Sequence, residues 1–187
     1  MRSDPFAQIA LVFLLFIFSL SLSAATPPTQ GIPSQELPNL ELTGSDGKKH
    51  HLSEYLGKGK WTTLVVWGPK CPACIEEMPE IQGIYDDKEK NNINVLGLAV
   101  DFPTFTYPKL KQVQQFEEVY FVTFPNLLIS SNIYYEFGLG ALKGTPTIIL
   151  VDPLGKVSAV QLGGVPRKVI ENYIAAENAK ASLISKK

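Results

Sequence analysis

An α/β fold, with a central mixed β-sheet flanked by helices and an amino-terminal β-hairpin, is the class that this 187-residue chain predicts. Three observations predict it. The run Trp61–Trp67, with its β-branched residues, and the run Ile93–Val100, apolar almost throughout, read as strands buried on both faces. A helical stretch lies between them, so strand, helix and strand form a right-handed parallel unit. Thr147–Val151 and Lys156–Leu162 flank Asp152-Pro153-Leu154-Gly155, the residue types of a tight turn, and add an antiparallel hairpin.

From the amino terminus, Phe6–Leu22 is interrupted only by Gln8, Ser19 and Ser21 and ends in Ser23-Ala24-Ala25. Small residues at Ser23 and Ala25 suit signal-peptidase cleavage, so residues 1–25 read as a signal peptide. A run of this length also lies at the lower limit for crossing a bilayer, and an uncleaved membrane anchor is the alternative. Either way the folded part lies outside the cytoplasm. Without a cysteine after the apolar run, a lipid-modified amino terminus is excluded. Residues 26–36, rich in Pro, Thr and Gln, read as a linker, residues 37–180 as one domain and 181–187 as a tail.

Within the domain, Leu37–Leu42 and Lys48–Leu52 are expected to pair around an Asp46-Gly47 turn. A helix follows Trp61–Trp67 and the dithiol Cys71-Pro72-Ala73-Cys74. Leu110, Val113, Phe116 and Val119 recur at helical spacing after Pro108, and Val169, Ile170, Tyr173 and Ile174 mark one face of a terminal helix. There is no internal repeat. The composition, 45% hydrophobic and 19% charged with net charge −1, is that of a globular domain and excludes a disordered or repeat protein. No basic stripe points to nucleic acid.

Cys71 and Cys74 are the only two cysteines. A disulfide stabilises by closing a loop, and one this short contributes only about 2 kcal/mol. Cross-linking is a poor explanation for the pair. At a helix start the first cysteine faces unpaired N–H groups and the positive end of the helix dipole, which favour its thiolate. Cys71 is therefore the expected exposed nucleophile, and Cys74, one turn on and less exposed, the resolving thiol. Pro72 suits the first helical position, where a missing N–H costs nothing. Lys70 either favours the Cys71 thiolate or is a solvated loop lysine. Stepping about 100° per residue, Cys74, Met78, Ile81, Ile84 and Tyr85 share one half of the helix, with Glu77 just inside it. Such a carboxylate has a raised pKa and can move the thiol proton, unless it reaches water at the edge of the stripe. Pro79 blurs that geometry with a possible kink. The Thr145-Pro146 bond, from sequence alone, is expected to be trans.

These residues, in order, resemble the TlpA/ResA-like branch of the thioredoxin superfamily of exported thiol-disulfide oxidoreductases. The matching features are Leu37-Pro38-Asn39-Leu40, Asp46-Gly47, Leu52-Ser53, Gly59-Lys60 and Trp67 before the dithiol, then Glu77-Met78-Pro79, Gly144-Thr145-Pro146-Thr147, Asp152-Pro153-Leu154-Gly155 and Gly163-Gly164. They span about residues 37–177. The resemblance implies a thioredoxin-like fold, a cis Pro146 beside Cys71, and a Thr145 backbone that pairs with a substrate strand. It also implies that Glu77 sits near the thiols and that Trp67, Lys70, Pro72 and Ala73 line the substrate site. Two departures stand out. Lys70 replaces the family's common bulky residue before the first cysteine, and Pro72-Ala73 puts no proline before the second. Such surroundings tune potentials that run from roughly −270 to −120 mV among dithiol proteins. Val65 stands where cytoplasmic thioredoxins keep a buried aspartate, leaving Glu77 as the local proton handler.

The implied function is exchange of the Cys71/Cys74 pair with protein disulfides in the periplasm, as a reductant of the apocytochrome c maturation type fed by a membrane electron donor. An oxidising disulfide donor is the alternative within the same chemistry. No cofactor beyond the redox-active Cys71–Cys74 disulfide is expected, and no metal. A copper or zinc carrier would need further ligands, and His50 and His51, on opposite faces of a strand, read as surface residues. A thioredoxin-like binding domain that keeps the thiols without turnover is the remaining class.

Overall fold

The computed structural model describes residues 34–184; the expected leader over 1–25, most of the linker and the last three residues lie outside them. The elements run β1 (Glu41–Gly44), β2 (Lys49–His51), β3 (Trp61–Trp67), α1 (Pro72–Asp86), α2 (Lys88–Asn91), β4 (Ile93–Ala99), α3 (Leu110–Tyr120), β5 (Asn126–Leu128), α4 (Ser131–Glu136), β6 (Thr147–Val151), β7 (Val157–Leu162) and α5 (Arg167–Ile184). One seven-stranded mixed sheet has the order β2-β1-β5-β4-β3-β6-β7. The expected α/β class and thioredoxin-like architecture are present.

β3 is the axis of the sheet. It pairs parallel with β4 from Trp61 opposite Ile93 to Trp67 opposite Ala99, and antiparallel with β6 from Thr62 opposite Val151 to Val66 opposite Thr147. The helix α1 makes the parallel crossover that the sequence predicts. Side chains alternate across each strand, so two apolar layers form. Trp61, Val65 and Trp67 face the layer of Met78, Ile81 and Ile84 from α1, Val113 and Phe116 from α3, and Ile170 and Ile174 from α5. Leu64 and Val66 face the opposite layer, with Leu96, Leu98, Ile149, Val151, Tyr134 and Phe137. A fully buried Met, Ile or Leu contributes about 1.5–3 kcal/mol, and Met78, Ile81 and Ile84 are all within 2% of complete burial.

Several boundaries differ from the sequence expectation. Leu37–Leu40 is not strand: Pro38 has no N–H to offer a ladder, and its carbonyl accepts from the Leu40 N–H in a local turn instead. Leu52 opens a short 3-10 turn, Leu52–Glu54, after β2. The final helix continues to Ile184, past the expected domain end at 180. Its buried residues are Ile170 and Ile174, while Val169 is 53% exposed, and Val119 near the end of α3 is 56% exposed. The chain enters the fold at the end of the expected linker. Val157 N–H donates to the Gln35 carbonyl (2.8 Å), Gln35 Nε2 donates to the Phe137 carbonyl (2.7 Å), and Glu36 bridges to Lys156. Among the described residues no helix is long and apolar enough to cross a membrane.

Candidate active site

The dithiol sits where β3 hands the chain to α1. Cys71 has extended backbone (φ −87°, ψ 111°) and is the N-cap of the helix, with Pro72 at the first helical position. Cys71 and Cys74 are joined as a disulfide with Cα atoms 5.2 Å apart. The Cys74 N–H is shared between the Cys71 carbonyl at 3.1 Å and Cys71 Sγ at 3.2 Å, so a first-turn donor of the helix reaches the sulfur on which a thiolate would form. Helix α1 runs unbroken through Pro79, which lies on its exposed face.

The expected difference in exposure between the two thiols is absent. Cys71 is 1% exposed and Cys74 0%, and both belong to the α1–α3–α5 apolar layer. Across from them the Thr145–Pro146 bond is cis, as the family resemblance implies, and the Thr145 carbonyl oxygen lies 3.5 Å from Cys71 Sγ. Pro146 is buried and Thr145 half-buried. The cap position that points Cys71 at this loop also encloses it, which is why helix position alone overstates its exposure.

Glu77 is buried, not at a wetted edge. It is 8% exposed, one turn beyond Cys74, and its Oε1 accepts from the Val165 N–H at 2.8 Å. Burial pushes its carboxyl above the ordinary carboxylate value, opposed by the Val165 hydrogen bond and assisted by the neighbouring negative charge of Glu80. A carboxyl with a raised pKa, one turn beyond Cys74, is placed to take up or release the proton that exchange requires.

The residues around the thiols divide into two sets. Pro72 and Ala73 are exposed, and Lys70 is 58% exposed with Nζ 3.8 Å from Asp101 Oδ1, a loose surface pair. Trp67 is not at the surface: it is fully buried, its ring centroid 4.4 Å from that of Phe116, and its Nε1 donates to Asn126 Oδ1 at 2.8 Å. It supports the site from beneath and offers no face to a substrate. Asn126 Nδ2 donates in turn to Glu117 Oε1 (2.9 Å) and to the Phe124 carbonyl (3.0 Å). Burial raises the Glu117 carboxyl, against the lowering effect of hydrogen bonds from Ser45 and Asn126.

Sequence reasoning missed Asn126, Asp101 and Val165. Asn126 had one signal, Gly97 in the middle of β4: any Cβ there would fall on the Asn126 amide. Val165 acts through its backbone and leaves no side-chain trace. His50 and His51, expected at the surface, pair with Asp46 and Glu54 (3.1 and 3.3 Å) and with Glu41 (3.9 Å) respectively. Among the described residues no group of three or more His, Cys, Asp and Glu side chains is placed to hold a metal ion.

Comparison with known proteins gives a consistent picture. Residues 33–160 match the AhpC/TSA family. The chain is 30% identical over 138 residues, 73% of each chain, to the thiol-disulfide oxidoreductase ResA of Geobacillus thermodenitrificans. It is 29% identical over 168 residues to the ResA of Geobacillus kaustophilus, covering 89% of this chain and 90% of the other. Among solved structures it is similar to a thioredoxin family thiol:disulfide interchange protein of Chlorobium tepidum, with TM-score 0.64 and 20% identity over 78% of this chain and 97% of that one. StoA of Bacillus subtilis gives TM-score 0.58 and 20% identity over 75% and 98% of the two chains.

Proposed function

The chain belongs to the AhpC/TSA family of thioredoxin-like proteins, and on that footing we propose that it is a ResA-type protein thiol-disulfide oxidoreductase working as an extracytoplasmic reductant. The observation that carries this reading is the Cys71–Cys74 disulfide at the start of α1, with the Cys74 N–H on Cys71 Sγ and the cis-Pro146 loop against the same sulfur.

In the reduced protein the Cys71 thiolate attacks one sulfur of a substrate disulfide. The Cys71–substrate bond forms as the substrate S–S bond breaks, and the other substrate sulfur leaves as a thiolate. Glu77 takes the Cys74 proton. The Cys74 thiolate then attacks Cys71 Sγ, restores the intramolecular disulfide and expels the second substrate sulfur as a thiolate, which can take the proton held by Glu77, so two electrons pass to the substrate. With Cys71 this enclosed in the disulfide form, the Thr145 backbone is the edge on which an incoming extended segment pairs. Protein disulfides of the apocytochrome c type are the substrates, and a membrane electron donor reduces the Cys71–Cys74 bond again. The amino-terminal leader, cleaved or kept as an anchor, delivers the domain to the periplasm.

A Cys74→Ser trap in the native host tests the exchange. Substrates should remain disulfide-linked to Cys71, and an absence of adducts under several redox conditions would remove it. Equilibration in glutathione and dithiothreitol buffers tests the direction. The reductant reading expects a potential nearer thioredoxin's, about −270 mV, than the roughly −120 mV of strongly oxidising disulfide donors.

A further inference from the structure

The pair Gly163-Gly164 has no part in the exchange chemistry, yet it leads directly into the one hydrogen bond that the Glu77 carboxyl makes among the described residues. Gly163, with φ +92°, donates its N–H to the Pro146 carbonyl at 2.8 Å, which ties the end of β7 to the cis-proline loop. Gly164 lies directly against Glu77: a Cβ at that position would fall on Oε2 and stand 3.1 Å from Cδ. Val165 then presents its N–H to Glu77 Oε1 at 2.8 Å. The next donor along, Arg167 N–H, bonds Glu80 Oε2 at 2.8 Å, and its guanidinium reaches the Gly83 carbonyl at 2.7 Å. Successive turns of α1 are thus fastened to one short connection.

We infer that Gly164 and Val165 are positioning residues, a backbone seat that holds the Glu77 carboxyl at a fixed place beside the dithiol and in register with the Pro146 loop. Gly164 supplies the space and Val165 the donor. The inference rests on the proton-handling role of Glu77 for its functional meaning but not for its geometry. The ionisable groups around the seat are Glu80 one turn further along α1 and Arg167 at the start of α5, already engaged by Asp87 and Glu171; Cys71 and Cys74 at the head of α1 join them only when the disulfide is reduced. The connection over 163–166 and the loop over 144–146 contribute none.

The test is a carbon-13 titration of side-chain carboxyls in the full-length protein, with Glu77 assigned from its disappearance in Glu77→Gln. Val165→Pro removes the donor and should move the Glu77 midpoint upward by about one pH unit, because a hydrogen bond to the charged form is lost. Gly164→Ala should displace it by half a unit or more, and Val165→Ala, which keeps the N–H, should leave it in place. An unmoved midpoint in either of the first two variants, when folded, overturns the inference. A second readout needs no variant of the connection. The wild-type Val165 amide proton should shift with the Glu77 midpoint and cease to do so in Glu77→Gln; a Val165 amide that does not follow overturns the seat even if the variants fail to fold. The pH dependence of Cys71 alkylation is read separately in reduced protein. If Glu77→Gln leaves that curve unchanged, the proton-handling role fails while the seat is judged by the carboxyl titration alone.

Discussion

Thr63 lies in the middle of β3 with 0% exposure, and its Oγ1 has no hydrogen-bond partner among the described residues. A hydroxyl buried without a partner costs about 1–3 kcal/mol, and valine has nearly the same shape and suits a strand. Thr63→Val should raise the unfolding free energy by about 1 kcal/mol in urea titrations; a loss would mean that the hydroxyl is satisfied in solution. Glu77 gives a prediction with a pH sign. Its folded pKa is raised above the ordinary value of 4.5, so the native state holds the proton more tightly than the unfolded chain does. Ionisation therefore costs stability, a penalty absent below the unfolded value and complete above the folded one. Glu77→Gln should gain stability relative to wild type as pH rises above the ordinary value of 4.5, with the difference levelling off once the folded carboxyl has ionised. Urea midpoints across that range check it, and a difference that shrinks with pH would contradict it.

The β1–β2 hairpin is held by charge as well as by its ladder. His50 lies between Asp46 and Glu54, and the Asp46 hydrogen bond is the main cause of its raised pKa. A raised histidine pKa contributes stability that is fully present below the unfolded value of about 6.5 and is lost as pH rises through the folded value. The stability difference between wild type and His50→Gln should be larger at about pH 5.5 than at about pH 9. Equal differences would show that the ion pairs contribute nothing. Legibility in the sequence followed length and periodicity at this level. β3, β4 and β6 are buried on both faces and announce themselves as apolar runs, and α1 is marked at its start by Pro72. β5 and α4 are too short to show a period, and β5 is strand because it fills the gap between β1 and β4, a tertiary reason invisible locally. The site divides in the same way. Cys71, Cys74, Glu77 and Pro146 are chemical residue types at readable spacings, whereas the burial of Cys71 and Trp67 depends on what the fold lays over them.

One sheet shared by both apolar layers makes the domain a single cooperative unit, since neither layer can lose its strands without exposing the other. Both tryptophans lie on the α1–α3–α5 side. Their fluorescence and far-UV circular dichroism should report the same urea midpoint, and separated transitions would mean that the α4 side unfolds on its own. The sheet also has two unlike poles. β3 runs from Trp61 toward Cys71, and β6 returns antiparallel, so Thr147 lies at the pole of the dithiol and Val151 at the other. Val157, opposite Val151, receives the entering chain through Gln35. Gln35 and Glu36, the described residues that pair there, are thus fastened at the pole away from the dithiol. A segment that docks against the Pro146 loop therefore meets the domain at the end opposite these contacts and leaves them untouched.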